Sequence, residues 1–460
     1  MRFYRLNDFA MFLSDQGRDA IIIKRIVTGE HFPAIGAPTS VGQVYLGPFY
    51  YYFIAPWLLL FNFKPVGLAF GVAFFSTLFL LINFIVVKKL INEKTAYLST
   101  IFLALSSTLV DFSRFSWNPN LLPLFSFLTA YFAIESLRTK KWYYFALTGS
   151  FLSFSIQLHY LALLLGLPIL LIYLFDLIKN KKQLISKFLN LFIGLFFFIS
   201  FTFPLIIFDL RHNFLNSKNF LTLFKSSSSL TSGKLTNLIT TFISLNNFTL
   251  NISLNLWQSI LLLIFILLSS TVIILRSKGR IKIFIFFFLT LFLGLSLYNG
   301  PKFPHYLGLL YPFYFLIISY FFAEISKDLF EKIIIILFVI LFAGLNLHKY
   351  NFIYNPADNQ IGRAQKVADF LAKKISHQPF NIATWPVDFT EDSYLYFLEL
   401  KGIRPANRQK VEITNQMFVL CNKEPCQIIN SPSWNISMFG KAKIADQWKV
   451  EDVKIYKLIR

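Results

Sequence analysis

Apolar residues run through this chain in blocks rather than in alternation with polar ones. Nearly uncharged stretches recur at 66–87, 95–110, 120–137, 142–158, 160–178, 187–209, 252–275, 281–298, 304–322 and 332–347. Blocks of this kind fit helices that cross a bilayer, whose hydrocarbon core takes about 20 helical residues. The gaps between them alternate in character. Lys88 and Lys89, Arg138 to Lys141, Lys179 to Lys182 and Arg276 to Lys282 form short basic gaps. Under the positive-inside rule these face the cytoplasm. The gaps Asp111 to Asn120, Asp209 to Asn251 and Tyr298 to Phe303 then face outward, with everything after His348. The pattern predicts a polytopic α-helical membrane protein with about ten to twelve spanning helices.

The segment 44–63 is apolar but broken by Gly47, Pro48 and Pro56, with Tyr50, Tyr51 and Tyr52 crowded at one end. It either spans the membrane or lies at its interface, where tyrosine is favoured. If it spans, the N-terminal residues are cytoplasmic. If it does not, residues 1–46 are outside, and parity then calls for a spanning helix ahead of Met1, since no signal peptide precedes Asp15. The outward stretch 211–251, with Ser226 to Ser229, is expected to be a long mobile loop of the lid kind. Residues 349–460 change to a mixed, charged pattern. They predict helices at Gln365 to Ile375 and Asp392 to Leu400, and strands at Phe380 to Thr384, Gln416 to Cys421 and Val453 to Leu458. Three regions follow: a first outer segment 1–65, a helical bundle 66–347, and a small extracytoplasmic α/β domain 348–460.

Composition agrees with the pattern. Of 460 residues 55% are hydrophobic and only 15% charged, against about 25% charged in soluble domains. The net charge of +21 sits in the short inner gaps rather than on a basic face with interleaved aromatics, so it argues for membrane topology and not for nucleic acid. The two cysteines, Cys421 and Cys426, build no metal site; they form either a disulfide in an oxidising compartment or two free thiols.

The chemistry that stands out lies ahead of the bundle, in Asp15-Gln16-Gly17-Arg18-Asp19. A helix places Asp15 and Asp19 on one face with Arg18 beside them. One carboxylate then serves as a base that takes a proton from an acceptor hydroxyl; the plainer alternative is a surface ion pair. Further ionisable groups collect at the outer helix ends: Asp111 and Arg114, Asp209, Arg211 and His212, and Lys302, His305 and Tyr306. Lys302 and His305 suit a phosphate, as point charge and hydrogen-bond donor. Arg114 fits an interfacial anchor equally well, and His159 beside Tyr160 reads more simply as a hydrogen-bonded turn residue.

These motifs carry a resemblance. Asp15 through Asp19, then Gly29-Glu30-His31-Phe32-Pro33, then Gly47-Pro48-Phe49-Tyr50-Tyr51, resemble the first outer loop of the GT-C superfamily of membrane glycosyltransferases. The protein mannosyltransferases and the aminoarabinose transferases of lipid A belong to it. Ser113-Arg114 and His305-Tyr306 through Tyr311-Pro312 are similar to later elements of that pattern. The resemblance implies inverting transfer of a sugar from a polyprenyl-phosphate donor to an acceptor protein, lipid or glycan on the outer face of the cell membrane. It implies Asp15 as base or orienting acid. The leaving phosphate needs fixed positive charge at the outer boundary, and Arg18, Arg114, Arg211, Lys302, His305 and Tyr306 are the candidates to bind it. Gln16 stands where many members have glutamate, so the second acid is missing or replaced by Asp19, which leaves a divalent metal unsupported; no cofactor is expected. The rival reading is a flippase or transporter of lipid-linked glycans, which calls for ionisable residues deep in the spans. Here they sit mostly at helix ends. A scaffold whose C-terminal domain binds a partner is the third reading.

Overall fold

The computed structural model describes residues 1–39, 44–179, 184–227, 233–276, 279–325, 328–376, 378–386 and 389–460. Lys181, Lys182, Lys278, Ser228 and Ser229, from the predicted basic gaps and serine run, lie outside the described residues. Each apolar block becomes a helix. Among the described residues six helices are long and apolar enough to cross a membrane: Val66–Leu90, Asn118–Thr139, Tyr160–Lys179, Leu184–Arg211, Leu256–Leu275 and Leu329–Leu347. Ile281–Ser296 and Tyr311–Ile325 are apolar but shorter. Their side chains make the centre of the bundle, with Phe284, Phe287, Phe288, Phe292, Phe313 and Tyr314 essentially inaccessible. Helix Leu184–Arg211 is the opposite case. Phe188, Phe192, Phe196 and Phe203 point away from the protein, as a lipid-facing helix requires. It is held by close approach: a Cβ on Gly149 would stand 1.9 Å from the carbonyl oxygen of Gly194, so two backbones meet there as small residues allow.

Two segments differ from expectation, and one left open takes the short form. The stretch 44–63 forms a helix at Phe49–Leu60, about 18 Å long at 1.5 Å per residue, well short of a bilayer core. Tyr50, Tyr51, Ile54 and Leu58 bury one side of it. The block 95–110 breaks at Ser106 into Glu93–Leu105 and Ser107–Phe112, where Asn346 Oδ1 accepts the Ser107 N–H at 2.7 Å. The expected loop 211–251 instead folds into helices Leu215–Ser227 and Lys234–Thr249. Thr241, Asn246 and Thr249 look like loop residues, but each donates its side chain to a carbonyl one turn earlier in its own helix, while Phe242 and Leu245 are fully buried.

The C-terminal region carries helices Gln360–Ile375 and Asp392–Leu400 and four strands: β1 Asn381–Trp385, β2 Gln416–Cys421, β3 Lys443–Val450 and β4 Val453–Ile459. The sheet order is β1-β2-β4-β3, with β1 and β2 parallel and the other pairs antiparallel. Cys421 and Cys426 are joined by a disulfide.

Candidate functional site

Helix Ser14–Val27 carries the acidic motif. The Gln16 side-chain oxygen accepts the Leu13 N–H at 3.2 Å; this is half of a capping box, and it fixes the first turn. One turn later Arg18 forks between two carboxylates. Its Nη1 donates to Asp15 Oδ1 at 2.8 Å, and its Nε and Nη2 donate to Asp19 Oδ1 at 3.0 and 2.7 Å. The carboxylates differ in access. The Asp15 side chain is 48% exposed and that of Asp19 is 0% exposed. Tyr51, on helix Phe49–Leu60, donates its hydroxyl to the same Asp19 Oδ1 at 3.1 Å. Asp19 Oδ2 is buried with no hydrogen-bond partner among the described residues. Burial pushes the Asp19 carboxyl up to about 6, opposed by Arg18 and the Tyr51 hydroxyl and helped by the nearby Asp15 charge. Arg18 loses solvation too, but its carboxylate neighbours hold it charged.

A line of side chains leads from this point across neighbouring helix ends. The hydroxyls of Tyr50 and Ser116 share a hydrogen bond of 2.6 Å. The next residue, Trp117, meets the His305 ring edge-on, with centroids 4.7 Å apart. His305 contacts His159 at 5.8 Å and Tyr306 at 4.5 Å. Burial drives both histidines toward the neutral form, His305 down to about 4 and His159, with His305 adding to the effect, down to about 3. Near neutral pH they offer N–H donors and lone pairs rather than charge.

The other candidate cations are placed differently. Arg114 is buried; it donates to the carbonyls of Met1, Arg2 and Arg5 and lies 3.7 Å from the centre of the Phe352 ring. Lys302 donates to the carbonyls of Leu295, at 3.1 Å, and Tyr298, closing the end of helix Ile281–Ser296. Burial lowers its ammonium to about 8. Arg211 ends helix Leu184–Arg211 and is exposed. Its neighbour Asp209 turns inward and accepts the N–H groups of Asn216 and Ser217, capping the next helix. The structure thus gathers Asp15, Arg18 and Asp19 in one cluster and His305 with Tyr306 in a second. Arg114 and Lys302 are tied to backbone carbonyls.

Sequence reasoning missed the second wall of the motif helix. Helix Asp392–Leu400 of the C-terminal region packs directly on it. A Cβ on Gly17 would stand 2.3 Å from Ser393 N and 2.5 Å from Asp392 C. Ser14 Oγ accepts the Thr390 N–H at 2.9 Å. At the far end the Glu399 carboxylate accepts from Arg25 at 2.9 and 2.6 Å and from Arg404 at 3.1 Å. Glu30 also pairs with Lys24 and Arg404. No local signal announces the contacts between the two helices, because Ser14 and Thr390, and Arg25 and Glu399, are separated by more than 370 residues. Tyr50 and Tyr51 belong to the Gly47-Pro48-Phe49-Tyr50-Tyr51 motif, and Ser116 lies just past Ser113-Arg114, but neither motif said what these hydroxyls meet.

Solved structures decide the architecture. ArnT from Cupriavidus metallidurans, in a structure bound to undecaprenyl phosphate, superposes with a TM-score of 0.62, covering 99% of this chain and 95% of ArnT at 12% identity. The fold is that of the GT-C membrane glycosyltransferases. The GT-C likeness recurs with ArnT in the apo state, at TM-score 0.61, 11% identity and the same coverage. It recurs with the archaeal oligosaccharyltransferase AglB from Archaeoglobus fulgidus, in complex with an inhibitory peptide and a dolichol-phosphate. There the TM-score is 0.54 at 11% identity, over 89% of this chain and 66% of AglB. At these identities what is shared is the GT-C fold. In sequence, residues 46–208 match the dolichyl-phosphate-mannose-protein mannosyltransferase family; the motif helix Ser14–Val27 lies outside that match. No functionally curated protein matches the chain.

Proposed function

We propose that this protein transfers a sugar from a polyprenyl-phosphate donor to an acceptor hydroxyl, with inversion, at the extracytoplasmic face of the cell membrane, with Asp15 as the base. The observation that carries the reading is the asymmetry of the motif in a GT-C fold: a half-exposed carboxylate, Asp15, oriented at 2.8 Å by an arginine that is itself fixed by a buried one. Two solved proteins of this fold are named with polyprenyl phosphates, undecaprenyl phosphate for ArnT and dolichol-phosphate for AglB.

In this mechanism the acceptor oxygen forms a bond to the anomeric carbon on the face opposite the phosphate. The bond from that carbon to the phosphate oxygen breaks, and the polyprenyl phosphate leaves with the electron pair. The acceptor proton moves to Asp15, which is placed for this by its access and by Arg18. Asp15 sits in the first turn of its helix. His305 and Tyr306 supply hydrogen bonds at the leaving phosphate and Arg211 a charge; no metal or other cofactor is invoked. Protein, lipid or glycan acceptors all fit this chemistry.

The test is transfer of label from a panel of polyprenyl-phosphate hexoses and pentoses in the cell's own membranes, comparing the wild type with Asp15→Asn at equal expression. Transfer abolished by Asp15→Asn supports the assignment. No transfer from any donor by the wild type, with lipid-linked glycan still crossing reconstituted vesicles, would replace the enzyme by a flippase.

A further inference from the structure

Asp19 differs from every other carboxylate of the motif region in three respects. Its side chain is 0% exposed, so no acceptor reaches it. One of its oxygens takes all the donors it has, two from Arg18 and one from Tyr51. The other, Oδ2, has none among the described residues. A buried carboxylate with an unsatisfied oxygen is costly and calls for a reason. The reason lies in its partners: an apolar side chain there would leave the Arg18 guanidinium and the Tyr51 hydroxyl without the acceptor they share.

We propose that Asp19 is a positioning residue for Asp15, anchoring the Arg18 guanidinium so that its remaining N–H is aimed at Asp15 while Asp15 stays free to accept a proton. This rests on the transferase reading and adds a division of labour within the motif: Asp15 meets the acceptor, Asp19 never does. With Asp19 ionised, Arg18 is shared between two carboxylates. When Asp19 takes a proton, which falls on the unpartnered Oδ2, its hold on Arg18 weakens. Arg18 then turns its full charge on Asp15, tightening that pair and lowering its basicity. The groups that face this cluster are Arg18 and Asp15 from the same helix, Tyr50 and Tyr51 from Phe49–Leu60, and Asp392 from the C-terminal helix, on which Arg18 and Asp15 both act. Of these only carboxylates change charge in mild acid, and burial has moved Asp19 to about 6. The arrangement therefore gives transfer an acid limit set by a residue that does not touch the substrate.

The experiment is a pH profile of kcat and KM for donor in membranes, for wild type, Asp19→Asn, Asp15→Asn and Tyr51→Phe. The expected wild-type profile falls below about pH 6. Asp19→Asn is expected to lower kcat about 10- to 100-fold at neutral pH, as loss of a charge-assisted anchor and slight misaiming imply. Its KM for donor should stay within about twofold, and its acid limb should move down toward the ordinary carboxylate range near 4. Tyr51→Phe removes one hydrogen bond from the Asp19 carboxylate and is expected to move the limb upward. It remains informative if Asp19→Asn fails to fold. Unchanged kcat and an unmoved limb in Asp19→Asn, or an unmoved limb in Tyr51→Phe, overturns the proposal. So does a raised KM with normal kcat, which would put Asp19 in the binding surface. Activity in Asp15→Asn equal to wild type would instead remove the transferase assignment of Asp15, and that result is read independently of the Asp19 limb.

Discussion

Gly17→Ala tests whether the C-terminal helix is part of the catalytic machinery. The added Cβ would stand 2.3 Å from Ser393 N, 2.5 Å from Asp392 C and 2.6 Å from Ser393 Cα. These are backbone atoms, which do not swing aside. Ordinary contact begins near 3.4 Å, so the two helices must part by about 1 Å. Overpacking of this kind costs about 1–3 kcal/mol, and alanine returns about 1 kcal/mol of helix propensity over glycine. The net loss of stability is then small, about 0–2 kcal/mol. The effect on rate is larger in proportion. Asp15 and Arg18 lie within two residues of Gly17 on the same helix, and a misplacement near 1 Å costs about 100-fold in rate when it reaches reacting groups. The expected variant is folded, close to wild type in melting temperature, and about 10- to 100-fold lower in kcat. Sugar transfer in detergent or membranes gives the rate, and thermal denaturation of the same sample gives the stability. Gly344→Ala is the control, because nothing lies within 4 Å of a Cβ there; it should be neutral or slightly stabilising. Full activity in Gly17→Ala would refute the reasoning, since it would show that the spacing of these helices does not matter to the chemistry.

Glu399→Gln should loosen the same contact from its other end. A nearly buried carboxylate that serves Arg25 and Arg404 is replaced by a neutral group, with a loss of about 1–3 kcal/mol in thermal or denaturant melts. Although burial works against it, the cations of Arg25, Arg404 and Lys24 hold the Glu399 carboxyl below its ordinary range. Its contribution is therefore present above the unfolded carboxylate value and fades as pH falls through the lowered one, so wild type and Glu399→Gln should converge in stability in acid. Arg114→Ala should act on stability rather than on donor affinity, because the guanidinium is spent on the carbonyls of Met1, Arg2 and Arg5. A raised KM for donor with unchanged melting temperature would return it to the phosphate site. His305→Ala should lower transfer with little change between pH 6 and 8, because burial keeps the ring neutral throughout that range; a wild-type step in activity near 6.5 that vanishes in the variant would contradict this.

What the chain revealed before folding depended on how local each cause is. The apolar blocks were legible because a helix in lipid must be apolar along its whole length. Asp392–Leu400 and Gln416–Cys421 appear at their expected limits, since turn residues bound both. Helix Lys234–Thr249 was hidden by its composition: its threonines and asparagines satisfy themselves on the helix backbone, which composition alone reads as loop. Strand β3 escaped because it is an edge strand with mostly exposed residues and little apolar alternation. In the site, spacing alone placed Asp15, Arg18 and Asp19 on one face. It did not say which acid is open and which is sealed, because the partner of the sealed one, Tyr51, lies on another helix. Lys302 was a plausible phosphate ligand by charge, but the carbonyls that end a helix claimed it first.

The packing of Gly17 against Asp392 and Ser393 also sets an order of events in the life of the molecule. The motif helix is made among the first thirty residues, yet one of its walls arrives only when synthesis has passed residue 400. Until then the bundle is threaded into the bilayer with an unfinished acid cluster. Contacts of such long sequence separation form late, since the intervening chain must first be placed. A chain that ends before residue 400 therefore lacks one wall of its motif helix, and the packing of the last domain is at the same time the packing of the first helix.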